Sequence, residues 1–158
     1  MREKSYSVSI ANAISAFLVE DDWKFSFNEQ LGLFNFGLGI SGRLKKVNYT
    51  IDVKDDEFIV YGYSPIGADI DDTEAMSAMT NFICRANYGL KNGNFELDVS
   101  DGEIRYKCYV DCADMLPNQE IVKHTIHCVA AMFMRYGQGI VDIIFGGASA
   151  EEAIAKCE

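Results

Sequence analysis

The sequence predicts an α+β fold: an antiparallel β-sheet with helices packed on one face, in the order α-ββββ-α-ββ-α-α, as one domain over residues 1–158. Three observations predict it. Hydrophobic residues make up 49% of the 158 positions, enough to bury a core without cross-links. The apolar period switches from helical to alternating and back along the chain. The alternating runs are joined by turns of a few residues, which leads neighbouring strands to pair antiparallel.

The first helix should run from about Ser7 to Glu20, because Ile10, Ile14, Phe17 and Leu18 form one apolar stripe. The period then becomes two. Trp23, Phe25 and Phe27 alternate with polar residues, and Phe34, Phe36, Leu38 and Ile40 repeat the pattern. Val47, Tyr49, Ile51 and Val53 form a third run. A fourth extends from Phe58 to Tyr63 and ends before Pro65. A second helix follows, with Asp71 as its expected cap, Glu74 in capping-box position, and Met76, Met79, Ile83 and Ala86 facing inward.

Asp101-Gly102 lies between two alternating runs and predicts a hairpin with a two-residue type I′ turn. That register has Ser100 and Glu103 flank the turn and pairs Val99 with Ile104 and Leu97 with Tyr106 on one face. On the other face it sets Asp98 against Arg105 and Glu96 against Lys107, opposite charges across the strands. A third helix is expected from Pro117, with Val122, Ile126, Val129 and Phe133 on its core face and an interruption at Gly137 and Gly139. The apolar segment 140–145 fits helix or strand equally. Ser149 and Glu152 form a capping box for a short last helix.

The net charge of -10 repels phosphate backbones and anionic lipid, so neither nucleic acid nor a membrane is an expected partner. Arg2 and Lys4 precede an only moderately apolar run that flows into Glu20, Asp21 and Asp22, which reads as a helix rather than a signal peptide. No run approaches the ~18 apolar residues of a membrane span. The five cysteines, Cys84, Cys108, Cys112, Cys128 and Cys157, show no CxxC spacing and fit buried free thiols of a cytoplasmic protein.

Few motifs suggest chemistry. Gly37, Gly39 and Gly42 match a dinucleotide-binding spacing, but a strand pattern follows where that motif needs a helix. "FGGASAEEA" sets two glycines before a helix N-terminus already occupied by Glu151 and Glu152. His124, His127 and Cys128 cluster within about a turn of the third helix, with Cys84 or Cys112 as the further ligand a zinc ion would need. No metal or cofactor is expected, and no nucleophile–base pair. The back of the third helix carries Cys128, Ala131 and Met134, too apolar for a solvated face, so the last helix or a second subunit should cover it and a homodimer is expected. Tyr61 and Tyr63 lie with Ile59 on the face of their strand away from the helices, where they can form a binding platform.

The strings "RANYGLKNGNFELDVSDGEIRYK" and "RYGQGIVDIIFGGASAEEAIAKCE" resemble the bacterial YbjN-like family, described as sensory-transduction regulators. The resemblance runs from about Trp23 to the C-terminus and is tightest from Arg85 to Lys107. It implies a type III secretion chaperone-like fold, no established enzymatic activity, and binding of partner polypeptides, often as a dimer. The matching polar positions are Arg85, Asn87, Tyr88, Asn94 and Arg105. Two functions are therefore expected as alternatives. One is a non-catalytic, chaperone-like or regulatory protein-binding module. The other is a small-molecule-sensing or catalytic domain using the Arg85–Arg105 corner or the His124–Cys128 face.

Overall fold

The computed structural model describes residues 5–158, so the charges expected of Arg2 and Lys4 lie outside the described residues. The chain forms α1 (Val8–Glu20), β1 (Phe25–Asn28), β2 (Leu33–Gly39), β3 (Lys46–Val53), β4 (Glu57–Tyr63), α2 (Thr73–Asn87), β5 (Asn94–Leu97), β6 (Ile104–Asp111), α3 (Gln119–Gly146) and α4 (Ala150–Ala155). This is the α-ββββ-α-ββ-α-α order the periodicities predict. The six strands make one sheet in the order β1-β2-β3-β4-β6-β5, with every neighbouring pair antiparallel.

Alternation sorts the strand residues into two faces. Phe34, Val47, Ile51, Phe58, Val60 and Cys108 are wholly buried under the helices. Helix α3 supplies the facing layer, and Val122, Ile126, Val129 and Phe133 are all at most 1% exposed. Gly62 in β4 lets it approach. A Cβ there would stand 2.2 Å from Val129 Cγ1 and 2.9 Å from Val47 Cγ1. Tyr49 spans the same layer and donates its hydroxyl proton to the Ile126 carbonyl at 2.7 Å.

Helix α3 runs unbroken through Gly137 and Gly139, where an interruption was expected, and segment 140–145 is helical. These glycines serve tertiary contact. A Cβ at Gly137 would meet Leu44 Cδ1 at 3.0 Å, and one at Gly139 would meet Phe82 Cε2 at 2.5 Å. The helix ends at Gly147 in the left-handed conformation. It is long and apolar enough, by composition, to cross a membrane, but half of that apolar stretch is buried in this fold as a core helix.

Two helix starts differ from expectation by a residue or two. Asp72, not Asp71, caps α2 by accepting from the Ala75 N–H at 3.0 Å, while the Asp71 N–H is taken by Asp69 Oδ1. Helix α3 begins at Gln119 rather than Pro117, capped by Asn118, which accepts from the Ile121 N–H. The capping box of Ser149 and Glu152 forms as expected.

The hairpin register also differs. Leu97 pairs with Ile104, Phe95 with Tyr106 and Glu96 with Arg105, a shift of two residues that keeps the same face inward. The turn is correspondingly longer than two residues. Asp98 closes it by accepting from the Ser100 N–H at 2.8 Å and the Ser100 hydroxyl at 2.6 Å. The Gly102 N–H returns to the Asp98 carbonyl. Gly102 has φ +82 and packs on the segment before α2, where its carbonyl accepts from the Ala68 N–H at 2.9 Å.

A Cβ at Gly102 would fall 1.9 Å from the Ala68 oxygen as well as demanding a positive φ. Gly102→Ala should therefore lose roughly 1–3 kcal/mol. Urea denaturation measures it, and an unchanged midpoint would show that the hairpin does not rest on Ala68.

Candidate functional site

The sheet face away from the helices carries the residues with the most distinctive surroundings. Strand register arranges them in rows. Thr50, Tyr61, Lys107 and Asn94 stand side by side across β3, β4, β6 and β5. The next row is Asn48, Tyr63, Arg105 and Glu96. On the other side of the first lie Asp52, Ile59 and Tyr109. Tyr109 is 53% exposed.

Arg105 is the hub of this surface. Its guanidinium carbon lies 4.5 Å from the centroid of the Tyr61 ring, a cation–π contact. Its Nη2 donates to Glu96 Oε2 at 2.8 Å and its Nε to the same oxygen at 3.2 Å. Lys107 Nζ sits 2.7 Å from the other oxygen, Oε1. Tyr61 and Tyr63 rings are 6.2 Å apart. Desolvation raises the Tyr63 phenol above its ordinary value, against the opposing hydrogen bond from Arg105. Desolvation also pushes the Glu96 carboxyl up, but the hydrogen bonds from Lys107 and Arg105 outweigh it and hold the group below the usual carboxylate range. Beside this cluster, at the hairpin end, a shallow depression is lined by Glu96, Leu97, Asp98, Val99, Glu103 and Arg105. Three carboxylates thus surround one guanidinium that is already paired.

Tyr61, Tyr63, Asn94 and Arg105 therefore share a surface. The other matching polar positions do not. Arg85 binds Glu151 of α4 at 2.7 Å and Asn81 on its own helix, in the helical layer. The sheet separates it from Arg105, so the Arg85–Arg105 corner is not assembled. Asn87 binds the backbone of edge strand β5: its Nδ2 donates to the Phe95 carbonyl at 2.9 Å, and its Oδ1 accepts from the Phe95 N–H at 2.7 Å. It satisfies an edge that would otherwise offer itself for pairing. Tyr88 is 91% exposed at the end of α2. Asn94 is occupied in part with the neighbouring Phe95 carbonyl at 3.1 Å.

The histidine–cysteine cluster of α3 does not converge. His124 lies 3.4 Å from Glu120 on the exposed side of the helix, His127 rests against the Trp23 ring, and Cys128 turns toward Cys108 and the Asn92 carbonyl. No group of three metal-ligating side chains gathers among the described residues. Cys84 is exposed, where a buried thiol was expected, and the other four cysteines are buried or half-buried. The segment after α4 meets α3 on another side, where the buried Tyr136 donates to Glu158 at 2.8 Å, so it does not cover the back of α3. Ala131 and Met134 remain exposed.

Sequence reasoning identified Tyr61, Tyr63 and Arg105 by separate routes but not their contact. That contact depends on β6 lying against β4, a long-range choice that alternation does not encode. Glu96, Lys107 and the carboxylates of the depression join them for the same reason. No family model matches the chain, and no curated protein matches it.

The Glu96 carboxyl, depressed in the folded state, contributes stability above the ordinary glutamate range and loses it as pH falls through the folded value. Glu96→Gln should be less stable than the parent at about pH 7, with the gap narrowing toward about pH 3. Urea midpoints at both pH values test this, and a deficit equal at both would show that charge plays no part.

Proposed function

We propose that this protein is a non-catalytic protein-binding module, and that its open sheet face takes a partner segment bearing lysine or arginine. One observation carries the reading: Tyr61 and Tyr63 lead, through Arg105, into a depression ringed by Glu96, Asp98 and Glu103. Aromatic rings offer apolar area with a polar tip, and the carboxylates beside them suit a cationic side chain whose aliphatic stem crosses the rings. Because Arg105 is satisfied by Glu96, the depression favours a cation over an anion. The net charge of -10 draws such a segment in from a distance and makes the encounter salt-dependent.

The YbjN-like assignment belongs to the same proposal. It rests on the strings from Arg85 to Lys107 and from Arg135 to Glu158, and it implies a regulatory or chaperone-like role in the bacterial cytoplasm.

The test is an array of matched basic, neutral and acidic peptides against the parent and a Tyr61→Ala, Tyr63→Ala double variant, with circular dichroism to confirm folding. Basic peptides should bind, weaken with added salt, and lose about tenfold or more in affinity in the variant, or about 1.4 kcal/mol. Equal binding by the variant would sink the proposal. Failure of every peptide, with a metabolite raising the melting temperature instead, would install the small-molecule alternative.

A further inference from the structure

Two cysteines far apart in sequence meet inside the fold. Cys108 of β6 is wholly buried, and Cys128 of α3 is half-buried. Their sulfurs approach one acceptor, the Asn92 carbonyl, at 4.0 and 3.8 Å. The Asn92-Gly93 turn lies directly over them, and a Cβ at Gly93 would come 2.8 Å from Cys108 Sγ. The Tyr106 hydroxyl donates strongly to the Asn92 carbonyl, so the thiols compete poorly for it. The other phenol facing the pair, Tyr49, spends its proton on Ile126. Both thiols are thus gathered at one carbonyl that neither can hold strongly.

We propose that Cys128 and Cys108 are a reversible dithiol, in which Cys128 is the site oxidised by hydroperoxides and Cys108 the thiol that resolves it. Cys128 has the partial exposure an oxidant needs, and Cys108 is buried at the same Asn92 carbonyl. The neighbouring Cys108 thiol lowers the Cys128 thiol below its ordinary value, against the opposing effect of burial. The neighbouring Cys128 sulfur and burial push the Cys108 thiol up. The thiolate is the reactive form.

The chemistry balances in two steps. The Cys128 thiolate attacks the terminal oxygen of a hydroperoxide, the O–O bond breaks, and the alcohol leaves with a proton from solvent, giving a sulfenic acid. The Cys108 sulfur then attacks the Cys128 sulfur, the S–O bond breaks, and the Cys108 proton departs with the hydroxide as water. Two thiols have lost two electrons and the hydroperoxide has gained them. A small-molecule or protein dithiol reverses the reaction. The disulfide ties α3 to β6 under the Asn92-Gly93 turn.

The test treats the folded protein with dilute hydrogen peroxide at neutral pH, alkylates it after denaturation, and maps the peptides. Two fewer thiols should be alkylated than in the untreated protein, and one peptide pair should be joined through Cys108 and Cys128. Reductant should restore both. Cys108→Ala should instead leave a sulfenic acid at Cys128 that a dimedone probe labels. The untreated parent needs no folded variant: at neutral pH, Cys128 should react with iodoacetamide faster than the more exposed Cys84. A linkage through any other cysteine, no linkage, or Cys84 reacting first would overturn the proposal.

Discussion

The seating of α3 on the middle of the sheet is the constraint on which the rest of the structure depends. It is set by Gly62, because any side chain there would drive into Val129 Cγ1. Close approach lets Tyr49 reach the Ile126 carbonyl and lets Phe133 meet the Phe95 ring edge-on, with centroids 5.5 Å apart. The same helix, one turn further on, carries Tyr136 against both Phe95 and Phe82. Through these rings α3 joins β3 and β4 to the β5–β6 hairpin and to α2. Each buried aromatic or branched side chain contributes about 1.5–3 kcal/mol, so this layer outweighs any polar contact on the surface.

Concentrating burial on one side leaves the other side of the sheet free to be chemical. The contacts among Glu96, Arg105 and Lys107 are partly exposed, and pairs of this kind contribute about 0–1 kcal/mol each. They order the surface more than they hold the protein together. Arg105 is fixed over Tyr61 by the bond to Glu96, so the aromatic and acidic parts of the face stay in one arrangement. A preorganised surface loses less entropy on binding than a mobile one. The opposite edge of the same logic appears at β5, where Asn87 occupies the Phe95 backbone and removes strand addition as a way to bind there.

Element order, faces and the Ser149–Glu152 capping box were legible in the sequence because they are local. Alternation in Val47–Val53 and the apolar stripe of α1 each predict a buried face without knowledge of the partner. The hairpin turn was not legible, since its length is decided by the Asp98 carboxylate bonding Ser100 and by Gly102 meeting Ala68 across the fold. Gly137 and Gly139 looked like breaks because a helix alone gains nothing from them; their reason is Leu44 and Phe82. Among the site residues, Tyr61 and Tyr63 were readable from alternation. The partition of Arg85 from Arg105, and the meeting of Cys128 with Cys108 rather than His124, follow from which elements neighbour one another.

One face of the sheet is closed by α3, and the other should be open in the purified protein. Hydroxyl-radical footprinting with peptide mapping tests it directly, because the tyrosines are divided between the two faces. Oxidation is expected at Tyr109, Tyr61 and Tyr63, with the exposed Tyr88 as reference, and protection at Tyr49 and Tyr106. Protection of Tyr109, Tyr61 and Tyr63 together, with Tyr88 still reactive, would contradict it and mean that the sheet face is already covered.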